Sequence, residues 1–136
     1  MTSLGRAAVA FAALLVVLVI TSCGPSEANG SVVEVGARSA VTLIVEREHV
    51  VLDLRSPEAF AAGRVRGAVN LDARAGDFED RVEALDEETT YLVYAQTAER
   101  SAMLADAMVS LGIDRVLDAG AFGMLAIAGA PVEADD

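Results

Sequence analysis

The sequence predicts an α/β domain: a mostly parallel sheet of about five strands with helices on both faces. Two observations carry this. Short apolar runs, such as Val50–Leu54 and Thr90–Tyr94, have the length and continuity of strands buried on both sides. Between them lie segments whose apolar residues recur at helical spacing, bounded by helix-start and helix-stop residues. Repeated strand–helix units of this size build a parallel sheet, and ligands then bind beyond the C-terminal ends of the strands. The stretch after Tyr94, "AQTAERS", falls at that edge.

Taken in order, Ser31–Val35 alternates weakly and is expected as an edge strand. Ala40, Val41, Ile44 and Val45 share one helical face, so residues 38–46 predict a helix. Val50–Leu54 predicts a central strand. Ser56-Pro57-Glu58 is a helix start: a hydroxyl at the N-cap, proline at N1, and an acid in the first turn. Gly63 would close that helix in a left-handed conformation. Residues 68–71 predict a further strand. Asp77 would cap a helix with Phe78, Val82 and Leu85 on its apolar face. Thr90–Tyr94 is the next strand. Met103, Leu104, Met108 and Leu111 mark the core stripe of the helix that follows, which Gly112 ends. Val116 and Leu117 predict a last short strand, and residues 122–128 a final helix closed by Gly129 and Pro131.

Composition narrows the chemistry. The chain has 136 residues and a net charge of −11, with ten cations that are all arginine. Such acidity argues against a nucleic-acid partner, which would require clustered cations. It also argues against attachment to anionic lipid through a basic patch. The single cysteine, Cys23, and the single histidine, His49, leave no disulfide and no Cys/His metal set. No metal and no cofactor is expected.

The N-terminus carries its own signal. Arg6 supplies a positive charge, and Ala7–Ile20 is an unbroken apolar run of 14 residues. As a helix it would reach roughly 21 Å, short of the ~30 Å hydrocarbon core, and so suits the apolar region of a signal peptide. Ile20-Thr21-Ser22-Cys23 follows, and it resembles a bacterial lipobox. That resemblance implies cleavage before Cys23 and lipidation of its thiol. Two or more acyl chains hold a protein stably at a bilayer. The expected organisation is a signal peptide over 1–22, the lipidated Cys23 heading a flexible tether to 31, a domain over 32–133, and an acidic tail over 134–136. The expected location is the extracytoplasmic face of a bacterial cell membrane.

Four stretches of the domain resemble the rhodanese-like family. "VVLDLRSPEAFAAG" is similar to its strand, D-x-R pair and following helix. "GRVRGAVNL" is similar to its G-H-I-x-G-A-x-N-I segment. "YLVYAQTAERSAMLADAMVSLG" is similar to its strand, active-site loop and helix, and "AGAFGMLAIAGAPVE" to its closing segment. The resemblance spans roughly Val32 to Glu133 and implies the rhodanese fold. It also shows departures. The family's active loop reads C-x-x-G-x-R-S. Here Ala95 stands at the cysteine position and Ala98 at the glycine, while Arg100 and Ser101 match. Arg64 replaces the family's histidine, and the closing tryptophan is missing.

In the family, the cysteine carries sulfane sulfur as a persulfide. Ala95 supplies no nucleophile, and an acylated Cys23 would leave no free thiol. Thr97 and Ser101 offer hydroxyls, but these need a base, and His49 precedes its strand and so belongs at the opposite sheet edge. No catalytic residue is therefore expected. The loop Ala95, Gln96, Thr97, Ala98, Glu99, Arg100 and Ser101 remains a possible anion cradle, supported from behind by an Asp53–Arg55 pair. Ala98, if forced left-handed, and the charge of Glu99 would both oppose an anion. The leading expectation is a lipid-anchored module, inactive as a sulfurtransferase, that binds a partner in the cell envelope. The alternative is a sulfur-handling enzyme that relies on the thiol of a partner or substrate. A third reading is an inert component of an envelope assembly.

Overall fold

The computed structural model describes residues 30–136. The expected signal peptide, Cys23 and most of the tether lie outside the described residues. The chain runs β1 (Ser31–Glu34), α1 (Ala37–Glu46), β2 (Val50–Asp53), α2 (Pro57–Ala62), β3 (Arg64–Val65), β4 (Val69–Asn70), α3 (Phe78–Glu83), β5 (Thr90–Ala95), α4 (Ala98–Ser110), β6 (Arg115–Ala121), α5 (Phe122–Ile127) and β7 (Val132–Glu133). Five strands form one sheet in the order β1-β6-β5-β2-β4, with every pairing parallel. β3 and β7 pair antiparallel in a separate two-stranded ribbon.

Side chains alternate across the sheet as the pleat requires. Along β5, Tyr91, Val93 and Ala95 join the core under α3 and α4. Leu92 and Tyr94 join the core under α1 and α5. Phe78 and Val82 of α3, and Leu104, Ala105 and Met108 of α4, complete the first core. Ala40, Ile44 and Leu125 contribute to the second. The parallel sheet with helices on both faces matches the sequence prediction, and β1 is an edge strand as expected.

Several local expectations are corrected. Gly63 closes α2 with φ 166°, which is extended backbone and not left-handed. Asp77 occupies the N-cap of α3, but its side chain makes no capping bond. Met103 is 57 % exposed, whereas Met108 is fully buried, so only one of the two methionines belongs to the core stripe. β6 is seven residues long rather than two, and it sits between β1 and β5. β1 begins at Ser31, which pairs with Arg115. The acidic tail is partly docked: the Asp135 amide donates to the Ala61 carbonyl, and its carboxylate lies 2.8 Å from Arg64.

Candidate functional site

β2 and β5 are parallel neighbours, with Asp53 opposite Tyr94. Both therefore end at the same sheet edge, and the segments that follow them, Leu54-Arg55-Ser56 and Ala95-Gln96-Thr97, form the walls of one cleft. The cleft encloses about 330 Å³ and is also lined by Ala59, Arg74 and Arg100. Three of its lining residues are arginines and none is acidic. Arg55 is paired with Asp53 behind the wall, so Arg74 and Arg100 carry the excess positive charge of the lining. Ala95 is 1 % exposed, the most buried residue of the lining.

Arg55 is held by an extensive set of contacts. Its Nε donates to Asp53 Oδ1 at 3.0 Å and its Nη2 to Asp53 Oδ2 at 2.6 Å, a fork on one carboxylate. Nη2 also donates to the Gly63 carbonyl at 2.5 Å. The guanidinium lies over the Phe122 ring, 4.0 Å from its centroid. Asp53, fully buried, accepts further from the Arg55 amide at 2.9 Å and the Tyr94 hydroxyl at 2.7 Å. Tyr94 in turn accepts from the Val65 amide at 3.1 Å. Burial, then the Asp53 hydrogen bond, raises the Tyr94 phenol well above its ordinary range. Burial by itself would lower the Arg55 pKa, but the hydrogen bond and charge of Asp53 outweigh it and raise it. The Asn70 amide donates to the Asp53 and Arg55 carbonyls at 3.1 and 2.9 Å, fixing the start of the cleft wall.

The other wall is set by the start of α4. Only Gln96 and Thr97 separate β5 from the helix. Thr97 is the N-cap, and its hydroxyl accepts from the Arg100 amide at 3.2 Å. Ala98 is thus the first helical residue, and the expected left-handed strain there is absent: among the described residues the only positive φ outside glycine is at Arg47. The left-handed position nearby is Gly120, with φ 77°. It lets the chain turn so that its amide donates to Asp118 Oδ1 at 2.9 Å. The same oxygen accepts from the Ser101 hydroxyl at 2.5 Å, below the helix start.

The residues singled out in the sequence therefore divide. Ala95, Gln96, Thr97, Arg100 and Arg55 line the cleft. Asp53 lies behind Arg55 and supports it. Ala98 and Glu99 are exposed on the first turn of α4 but do not line the cleft, and Ser101 is buried and committed to Asp118. Cys23 lies outside the described residues. Sequence reasoning missed Arg74 and Asp118. Arg74 sits in a turn before α3 and reaches the cleft only through tertiary docking, which leaves no local signal. Asp118 was read as part of no element, although one acid inside an apolar strand signals a buried polar partner.

Chemically, the cleft presents arginine guanidinium groups and no carboxylate in its lining. Its hydroxyls, Ser56 and Thr97, both cap helices, and the lining holds no histidine or carboxylate to activate either. His49 precedes β2 at the opposite edge. Among the described residues, no group of three His, Cys, Asp or Glu side chains is placed to hold a metal.

Known proteins place this architecture. The sequence matches the rhodanese-like domain family over residues 37–124. No curated protein is a significant match. Among solved structures, the Alr3790 protein from Anabaena sp. superposes with a TM-score of 0.65 at 21 % identity, over 74 % of this chain and 92 % of that one. A rhodanese with anions from E. coli gives 0.53 at 21 %, over 63 % and 98 %. The polysulfide-sulfur transferase homodimer from Wolinella succinogenes gives 0.59 at 22 %, over 78 % and 80 %. At these identities the solved structures share the fold. With the family match covering well over half of the sequence, the chain belongs to the rhodanese-like domain family.

Proposed function

We propose that this domain is silent as a sulfurtransferase and works as a binding module, held at the extracytoplasmic face of a bacterial cell membrane by lipid on Cys23. The observation that carries the reading is Ala95, a methyl group buried in the wall of an arginine-lined cleft. Persulfide chemistry needs a thiolate at the site, and the chain's one cysteine lies in the expected lipobox. What the cleft retains is the means to hold an anion. Arg100 and Arg74 supply charge, Arg55 is fixed by Asp53, and no carboxylate lines the cleft. The ligand is a small oxyanion or an anionic group on a partner in the cell envelope. The rhodanese from E. coli, with its anions, supports this use of the fold.

The same charge supports a second reading, in which the cleft holds a sulfur oxyanion while a partner or substrate supplies the thiol. Calorimetric titration with thiosulfate, in the presence and absence of a small thiol, tests both. Binding that is lost in Arg100→Ala, without consumption of thiosulfate, is the expected result. Thiol-dependent consumption would favour the second reading. No binding by the intact protein would overturn the anion site.

A further inference from the structure

We infer that the apolar groove between α3 and α4 is a docking site for a basic amphipathic helix of a partner protein. It is a second site, because none of its lining residues belongs to the arginine-lined cleft. The inference stands whether or not the arginines hold an anion.

The groove encloses about 400 Å³. Phe78 of α3 lines one side, and Met103, Leu104, Ala107 and Leu111 of α4 and its C-cap line the other. Their spacing makes an apolar stripe along the helix. Phe78 and Leu104 are also core residues, so the floor of the groove is fixed by the fold. Met103 is different: it stays largely in water while Leu104 beside it is buried. A flexible thioether at the mouth of an apolar groove adapts readily to an incoming apolar surface. From Met103 to Leu111 the groove runs about 12 Å at ~1.5 Å per residue, roughly two helical turns. A third helix laid there would seat apolar side chains spaced i, i+3 or i+4, and i+7.

Charge selects the occupant. Glu79 lines the groove, and Glu83 follows it one turn along α3. Glu87 continues the row: its Oε1 lies 3.7 Å from where a Cβ on Gly112 would sit, next to Leu111. On α4, Asp106 stands one turn on from Met103. All four acids are exposed, and none enters an ion pair among the described residues. No cation lines the groove. Arg81, the arginine of α3, donates instead to the Asn70 carbonyl at 3.1 Å. An apolar floor with acidic edges fits a helix whose apolar face is flanked by lysine or arginine. The same edges oppose other occupants. A second copy docked groove to groove would set these carboxylates against their own kind, in a chain of net charge −11. An anionic leaflet would repel them. The chain's own apolar run, Ala7–Ile20, brings only Arg6 as a cation.

The chain has no tryptophan, so Met103→Trp puts a sole fluorophore at the mouth of the groove. The full-length variant is reconstituted in phosphatidylcholine vesicles and titrated with two tryptophan-free helical peptides. Both carry the same leucine face, flanked by lysines in one and by glutamates in the other. The lysine peptide should shift the emission to the blue, with an affinity that falls as salt is raised. The glutamate peptide should leave it unchanged. Adding Glu79→Lys/Glu83→Lys should weaken the lysine peptide roughly tenfold and admit the glutamate peptide. If the charge-reversed protein fails to fold, the peptide preference and salt dependence of Met103→Trp alone decide. No shift with the lysine peptide, equal shifts with both, or indifference of the folded variant to charge reversal overturns the inference. Blue emission before any peptide is added also overturns it. Emission that is blue at every dilution assigns the groove to a segment of this chain, and emission that depends on protein density assigns it to a second copy. Emission that turns blue only with phosphatidylglycerol in the vesicles assigns it to lipid. Thiosulfate binding should be the same in these variants as in the unaltered protein. Its absence from all of them would overturn the anion site and leave the groove standing.

Discussion

The Ser101 hydroxyl donates to Asp118 Oδ1 across 2.5 Å, joining the first turn of α4 to the centre of β6. Ser101 is fully buried and Asp118 nearly so. The same oxygen accepts from the Gly120 amide, so one carboxylate fixes both the helix that forms one cleft wall and the turn beneath it. Ser101→Ala removes one partner of a buried charge and should cost about 1–3 kcal/mol. Urea unfolding measures this as a lower midpoint with an unchanged slope. A midpoint equal to that of the unaltered protein would show that the contact stabilises nothing.

Arg55 and Asp53 form a pair whose side chains are 5 % and 0 % exposed. Truncating one partner leaves the other charge buried and uncompensated. Arg55→Met is expected to destabilise the fold by about 3–5 kcal/mol. The double variant Arg55→Met/Asp53→Leu should recover part of that loss, since the uncompensated carboxylate is then gone. Additive losses across the double-mutant cycle would contradict the coupling.

Tyr94 gives the fold a dependence on alkaline pH. Its folded pKa is raised, chiefly by burial and then by the hydrogen bond to Asp53. The unfolded phenol ionises near 10.0 while the folded one keeps its proton. Its contribution is therefore complete below that pH and declines as pH rises toward the folded value. The limiting slope is about 1.4 kcal/mol per pH unit. Tyr94→Phe should be less stable at neutral pH by about 1–3 kcal/mol, because the Val65 amide loses its acceptor. It should also lack this part of the alkaline decline. Parallel stability–pH curves for the two proteins above pH 10 would refute the assignment.

A thiol introduced at position 95 would meet the N-terminal turn of α4 and the arginines of the cleft wall. Both favour the thiolate. Ala95→Cys should therefore be alkylated by iodoacetamide with an apparent pKa below the free value of about 8.5. An ordinary or raised value would mean that burial dominates and that the cleft has lost its electrostatic character.

Much of this organisation was legible in the sequence because it depends on local pattern. The run Val50–Leu54 and the Ser56-Pro57-Glu58 start appear as β2 and α2, with the Ser56 hydroxyl accepting from the Ala59 amide at 3.3 Å. What escaped depends on neighbours distant in sequence. Asp77 offered a cap by residue type, yet its side chain makes no capping bond. β3 and β7 are two residues each and exist through pairing with one another, so neither shows a period of its own. The strained loop anticipated at Ala98 is a helix start instead, because Thr97 caps it. Arg74 joins Arg55 and Arg100 only in three dimensions.

The most direct measurement is thiosulfate:cyanide sulfurtransferase turnover by the purified full-length protein, run beside a heat-denatured control. With a methyl group at Ala95 and no thiol or general base in the cleft lining, turnover equal to the control is predicted. Turnover clearly above the control would contradict the account.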